Sequence, residues 1–349
     1  MGKIFSNKTL LVVAFLVIAG IVAYASGVFE SKPAPQPKTI GFIQVFGAID
    51  NVYDGLKLGM TELGYVEGVN IVYDYQSWEQ DPTKVDGIAQ GFIDKDVDII
   101  YAVADLSALK ALKLTKEAGK PIPIVFSVAE EPLRLGIIES FKSSGNNTTG
   151  IVSNFADVAP KQLEFMKRIN PKVKKLGLFT KGFMNPNGPG VPVYNALKAS
   201  APNFGITIVE YTTDVEPGPA LAEAFDKVAA GIRTGDIDAI YHIPSHFLED
   251  QPVRETELGE RLKIINSMPV LEEMVGTGGL FSYGADLTET GKQSAIIVDK
   301  ILKGTKPVDI PIEHPKINVL GLNMKNAKVI GITIPDDIIE IAGYIIKEE

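Results

Sequence analysis

From Thr39 onward, short runs of β-branched and aromatic residues alternate with longer stretches whose apolar positions recur at helical spacing. The first half predicts strands near 39–46, 69–75, 97–103, 122–128 and 148–152, with helices near 50–64, 82–95, 105–118 and 132–141. The second half predicts strands near 174–180, 205–212, 237–243, 268–271 and 279–284, with helices near 158–169, 189–200, 217–232, 250–266 and 287–303. A strand near 316–322 and a helix near 335–346, opened by Pro335 with Asp336 and Asp337 behind it, complete the pattern. The run Asp98-Ile99-Ile100-Tyr101-Ala102-Val103 is apolar almost throughout, as strands buried on both faces are. Alternation of this kind indicates an α/β protein with mostly parallel sheet and helices on both faces.

Three apolar runs occur twice, in the same order. Lys38-Thr39-Ile40-Gly41-Phe42-Ile43 is echoed by Lys174-Lys175-Leu176-Gly177-Leu178-Phe179, and Asn70 to Tyr75 (NIVYDY) by Ile206 to Tyr211 (ITIVEY). Asp96-Val97-Asp98-Ile99-Ile100-Tyr101 returns as Asp236-Ile237-Asp238-Ala239-Ile240-Tyr241. The offsets are 136, 136 and 140 residues, constant enough to indicate one supersecondary plan built twice. Two such lobes meet along a cleft, and clefts between lobes are where small ligands bind.

Ahead of the repeats, Thr9 to Phe29 carries no charge and is preceded by Lys3 and Lys8. About 20 apolar residues suffice to span a bilayer. The lysines place the N-terminus in the cytoplasm and the body outside. The length favours a retained anchor over residues 1–29, while Ala23-Tyr24-Ala25 leaves a cleaved signal peptide as the alternative. Residues 30–38 form a Pro-rich linker. The absence of cysteine excludes a disulfide framework, thiolate metal sites, a cysteine nucleophile and lipid attachment through an N-terminal cysteine. A net charge of −9 argues against nucleic acid as a partner. Asn146-Asn147-Thr148-Thr149 holds two overlapping N-glycosylation patterns.

Catalytic motifs are scarce: there is no Gly-x-Ser-x-Gly, no phosphate-binding Gly-Lys-Ser/Thr loop, no His-Glu-x-x-His and no Gly-x-Gly-x-x-Gly after a strand. His242 and His246 are four apart, but Pro244 between them makes a cleft-lining or merely polar turn a better reading than a metal site. His314 reads as an exposed loop residue. No cofactor is implied. Ligands in open α/β sheets bind beyond the carboxyl ends of the strands, which nominates the loops 45–48, 102–107, 127–131, 180–187 and 242–247. Asp105 and Ser107 begin a helix whose free amides could receive a carboxylate; the plainer reading of Asp105 is a helix N-cap. Glu131 is either a ligand contact or part of an acidic helix start. Phe46, Phe183 and Tyr283 could wall the cleft or pack the core. Trp78, following an edge strand, is placed outside the site. Asp286 is an N-cap or a partner for a ligand ammonium group.

The segments "ELGYVEGVNIVYDYQ" (62–76), "PIVFSVAEEPLRLGIIES" (123–140), "NTTGIV" (147–152), "DKILKGTKPVDIPIE" (299–313) and "IGITIPDDII" (330–339) resemble the exported substrate-binding proteins of ABC importers, in the branch associated with tryptophan and tyrosine uptake. The resemblance covers nearly all of 39–340. It implies two doubly wound parallel-sheet lobes of the type I periplasmic-binding-protein fold, joined by three crossings and a hinge. Lobe 1 would comprise 39–153 plus 282–305, and lobe 2 would comprise 154–281 plus 306–349. Contacts carried over are Phe46-Gly47, Asp105-Leu106-Ser107, Ser127 to Glu131, Asn185, Ser245 and Asp286. The chain departs from the family pattern at Phe46-Gly47-Ala48 where a histidine-containing loop is usual, at Asp105 where the helix start is usually neutral, at Glu131 where aspartate is usual, and in lacking the lipid-bearing cysteine.

The expected function is capture of a small organic solute, with an aromatic amino acid as one possibility, and delivery to a permease with its ATPase subunits; the membrane is reached through the N-terminal segment. A ligand-sensing receptor subunit and an anchored extracytoplasmic hydrolase or isomerase are the competing readings.

Overall fold

The computed structural model describes residues 36–45, 50–79, 81–186, 190–244, 248 and 250–348. The expected anchor, Thr9 to Phe29, lies outside them. Among the described residues no helix is long and apolar enough to cross a membrane. The strands are β1 (Lys38–Gln44), β2 (Ile71–Ser77), β3 (Ile99–Val103), β4 (Ile124–Ala129), β5 (Thr148–Val152), β6 (Lys175–Phe179), β7 (Thr207–Tyr211), β8 (Ala239–Tyr241), β9 (Ile265–Met268), β10 (Phe281–Ala285), β11 (Asn318–Asn323) and β12 (Tyr344–Ile346). The helices are α1 (Asn51–Glu62), α2 (Val85–Asp94), α3 (Ala104–Glu117), α4 (Phe155–Ile169), α5 (Gly190–Ser200), α6 (Ala220–Gly231), α7 (Gln251–Leu262), α8 (Leu271–Thr277), α9 (Leu287–Leu302), α10 (Met324–Ile330) and α11 (Asp336–Ile339).

Two sheets result. The first runs β2-β1-β3-β4-β5 and the second β12-β11-β10-β9-β8-β6-β7. The repeated sequence runs occupy the same places in both: β2, β1 and β3 in one sheet correspond to β7, β6 and β8 in the other. The repeated aspartate has the same task each time. Asp98 accepts from the Thr39 amide at 2.8 Å, and Asp238 accepts from the Lys174 and Lys175 amides at 2.8 and 2.9 Å. Each carboxylate thereby satisfies donors at the open start of a central strand.

The chain crosses between the sheets three times. It leaves β5 for α4 at residues 153–154, leaves β10 for α9 at Asp286, and returns past Glu313 to β11. These passages are bonded to one another. Val152 N–H donates to Glu313 O at 3.0 Å, Asp286 N–H to Ile317 O at 3.0 Å, and Asn154 Nδ2 to Asn318 Oδ1 at 2.7 Å. Residues 282–285 pair with β9 and β11 in the second sheet, so the second crossing falls later than 282. Ile310 and Ile312 pack in the first lobe's apolar clusters, so the return falls later than 305. Paired backbone and buried side chains set these boundaries, and a hydropathy pattern records neither.

Helix α9 comes back from the second sheet to lie along α1. Backbones touch there: a Cβ at Gly291 would stand 2.2 Å from Val52 O, and one at Gly55 2.0 Å from Thr288 O.

Some expected elements differ. No helix forms over 132–141; Gly136 takes φ +71° after one turn, and Ile137 and Ile138 turn into the core. Helix α7 stops at Leu262 because Lys263 takes a left-handed φ of 58°, which moves β9 forward to 265–268 and frees 271–277 to form α8. The helix expected over 335–346 is one turn, followed by β12; Gly343 lies against Val319, and its N–H donates to Leu320 O at 3.0 Å, drawing the chain into the sheet. Helix α10 is absent from the predicted pattern. Phe183 is fully buried against Phe179 and Phe225, with ring centroids 5.5 Å away in both cases, and so belongs to the core. The Asn146 and Asn147 amides donate to Ile137 O at 3.0 Å and Ile122 O at 2.6 Å, which commits both sequon side chains to loop structure.

Gly291→Ala is expected to destabilise the protein by about 1–3 kcal/mol or more through overpacking. Gly87→Ala, in α2 with nothing within 4 Å of its would-be Cβ, should instead stabilise by roughly 0.5–1 kcal/mol. Urea unfolding midpoints of the two variants should move in opposite directions.

Candidate functional site

The carboxyl ends of β3 and β4 carry an unusual backbone. Ala104 has φ +67° and Val128 φ +57°. A β-branched residue in this region is a clear outlier, and such strain persists only where surrounding contacts over-determine it. Val128 sits at a bulge between Ser127 and Ala129 and packs against apolar clusters of both lobes. Asp105 holds the next residues: its carboxylate accepts from Glu130 N at 3.0 Å and Glu131 N at 3.2 Å. It is therefore not the N-cap of α3. Val103 occupies the cap position, without a side-chain bond. Burial raises the Asp105 pKa, opposed by those two amides.

Beyond Asp105, Leu106 packs on the first lobe's core and Ser107 is buried. Trp78 Nε1 donates to Ser107 Oγ at 3.1 Å, and the indole is buried in the first lobe's core. Ser127 is buried inside the lobe, at the Tyr101 hydroxyl, which donates to Ser294 Oγ of α9 at 2.9 Å. Glu131 pairs with Arg134. Phe46, Gly47 and Ser245 lie outside the described residues, as does His246.

Glu130 reaches across the first crossing. Its carboxylate accepts from Ser153 Oγ and the Phe155 amide, and burial raises its pKa well above the usual carboxylate range, with Asp105, Glu131 and Asp157 adding to the effect. Tyr241, at the end of β8 in the second lobe, is within electrostatic reach of it; burial and then Glu130 push the phenol pKa up. Residues 241 and 242 point to opposite faces of the sheet. His242 is buried beneath α7, its Nδ1 2.9 Å from Glu255 Oε2, while Gln251 Nε2 donates to Glu255 Oε1 at 2.9 Å. Burial opposes protonation of His242, but Glu255 and Glu273 together raise its pKa. Among the described residues no group of three metal-ligating side chains is placed to hold a metal ion.

In the second lobe Asn185 is half-buried in the turn after β6. Tyr283 lies within β10, edge-on to Phe165 at 5.1 Å. Asp286 caps α9, its Oδ1 accepting from Glu289 N at 3.0 Å. Glu272 accepts from Asn51 Nδ2 of the first lobe at 2.7 Å. Burial raises the Glu272 pKa to about 7, with Asp286 and Glu273 reinforcing the shift. His314 is exposed and stacks on Phe141 at 5.4 Å.

Asn51, Tyr241, Glu272 and Glu273 are not among the residues nominated from sequence, whereas Glu130 falls within the nominated run Ser127 to Glu131. Placing β9 late leaves Glu272 and Glu273 outside the nominated loops, whereas with β9 at 265–268 they follow a strand's carboxyl end. Tyr241 closes the repeated motif, a signal available in the sequence.

A profile of the family described as ABC transporter substrate binding protein matches residues 41–346. A tyrosine-binding protein of Clostridioides difficile is 24% identical over 298 residues, 82% of this chain and 79% of that protein. A conserved domain protein from Vibrio cholerae has a similar structure, with a TM-score of 0.74 and 26% identity, over 89% of this chain and 100% of the other. A Streptococcus pneumonia ABC domain in complex with L-Trp matches with a TM-score of 0.74 and 23% identity over the same shares.

Asp105→Ala leaves the Glu130 and Glu131 amides without their acceptor and is expected to cost about 1–3 kcal/mol of stability, measured by thermal unfolding. The ion pair of His242 with Glu255 gives a pH dependence of the same sense as that of the buried carboxyls Asp105, Glu130 and Glu272, whose pKa values are also raised. A histidine whose pKa is raised in the folded state stabilises fully below its unfolded pKa, and that contribution fades as pH rises through the folded value. His242→Gln should remove this component from the profile of melting temperature against pH.

Proposed function

Because the chain belongs to the ABC transporter substrate binding protein family, we propose that the solute it takes is an amino acid, held between the lobes with its ammonium group among carboxylates. Substrate-binding proteins of this family are extracytoplasmic and work with an ABC permease. One observation carries the amino-acid reading. Glu130 and Glu131 follow β4 in the first lobe, while Glu272 follows β9 and Asp286 follows β10 in the second, with Arg134 engaged by Glu131. Carboxylates gathered from both lobes favour a ligand that brings positive charge. The relatives named for tyrosine and complexed with L-Trp support the same class.

Binding would proceed by hinge closure: the closed form gains contacts from both lobes, and the solute shifts the equilibrium by its differential affinity for the two forms. The solute leaves unchanged in this reading. Retention at the membrane by Thr9 to Phe29 rests on the sequence pattern, and N-terminal sequencing of protein from its native membrane tests it; a mature start at Ser26 would mean cleavage instead.

Titration of L-tyrosine and L-tryptophan by calorimetry is the direct experiment, with mass spectrometry of the mixture to detect conversion. Saturable binding without conversion is expected. Absence of binding by any amino acid, or turnover proportional to protein, would overturn the reading. Trp78 is the chain's one tryptophan, so its fluorescence should change on saturation. Asp286→Asn retains helix capping and should leave the ligand-free melting temperature nearly unchanged. If Asp286 pairs with the ammonium group, affinity should fall by roughly 1.5–3 kcal/mol, about tenfold or more.

A further inference from the structure

The cross-lobe bond of Asn51 with Glu272 differs in kind from the bonds that tie the crossings together. Asn154 with Asn318, Val152 with Glu313 and Asp286 with Ile317 join chain segments that must stay adjacent in any arrangement of the lobes, because those segments are the connections themselves. Asn51 opens α1, a first-lobe helix, and Glu272 lies in α8, a helix of the second lobe, 221 residues away along the chain. Neither belongs to a crossing, so their contact depends on how the lobes are turned.

Asn51 is also well placed to transmit that contact. Asp50 before it accepts from Tyr75 Oη at 2.6 Å and from Gln44 Nε2 at 3.2 Å, fixing the end of the loop that follows β1. Val52 after it lies against Gly291 of α9. A side chain that grips Asn51 from the second lobe therefore acts on the start of α1 and on the α1–α9 contact together.

We propose that Glu272 is a positioning residue for closure: by holding Asn51 it clasps the second lobe to the start of α1, and the bond is given up as the lobes part. This rests on the family reading only in requiring that the lobes move. The Glu272 carboxyl faces Asn51 from α1, Asp286 at the start of α9 and Glu273 on its own helix. Parting the lobes hydrates it and returns its pKa toward the ordinary value. Protonation therefore favours the clasped form, and the closed population should fall as pH rises from about 5 toward 7 and then level off.

The chain has no cysteine, so Lys113→Cys on the first lobe and Lys227→Cys on the second can be spin-labelled and their separation followed by pulsed EPR without any ligand. Asn51→Ala and Glu272→Ala should both shift the distance distribution toward longer separations. Glu272→Gln keeps an acceptor oxygen; it should restore the unsubstituted distribution and abolish its pH dependence. With L-tyrosine as probe, the two alanine variants should each lose about three- to tenfold in affinity, the range of one hydrogen bond. Distributions unchanged in both alanine variants, with melting temperatures unchanged, would overturn the clasp. So would a loss of affinity in Glu272→Ala alone, which would make Glu272 a direct ligand contact. Because the distance measurement needs no solute, failure of L-tyrosine to bind would count against the amino-acid reading, while the distances alone would still decide for or against the clasp.

Discussion

The close approach of α1 and α9 is the constraint on which the rest depends. Gly55 and Gly59 on one helix and Gly291 on the other let the backbones meet where any side chain would collide. This contact brings a helix that begins at the end of β10, an interior strand of the second sheet, into the first lobe's core, with Leu287, Ala295, Ile297 and Val298 joining Ile40, Phe42 and Tyr101. The second crossing is fixed as a consequence. Asp286 is held at the hinge and Asn51 at the cleft's base by the same helix pair. Without it the second crossing would lose its seat in the first lobe.

Around that helix pair the lobes repeat a plan down to the aspartate that satisfies the start of a central strand. The sheets then diverge. The first ends at β5, while the second continues with antiparallel β11 and parallel β12. The return past Glu313 is what makes this extension possible, since β11 begins where the third crossing arrives.

Acidic groups concentrate where the lobes meet, and their placement follows a common logic. Asp105 and Glu130 spend their oxygens on backbone amides and a serine hydroxyl, which fixes a strained loop. Glu272 and Asp286 sit at the other side, one bonded to Asn51 and one capping α9. Burial makes ionised Asp105, Glu130 and Glu272 costly, and raises the pKa of each.

The α/β class, the doubling and most strands were legible in the sequence because buried parallel strands leave unbroken apolar runs, and a repeated plan leaves repeated runs. The resemblance to a binding-protein family was carried by segments such as 123–140 for the same reason. Helix ends and crossings were not legible. Gly136, Lys263 and Gly343 redirect the chain through local backbone geometry and sheet pairing, and one misplaced strand, β9, hid Glu272 and Glu273 from the strand-end rule. Asp105 reads as a cap from sequence, yet serves a loop 25 residues later. Periodicity along a chain records which face is buried. Which polar atoms then find each other depends on how distant segments are packed, and only the tertiary structure decides that.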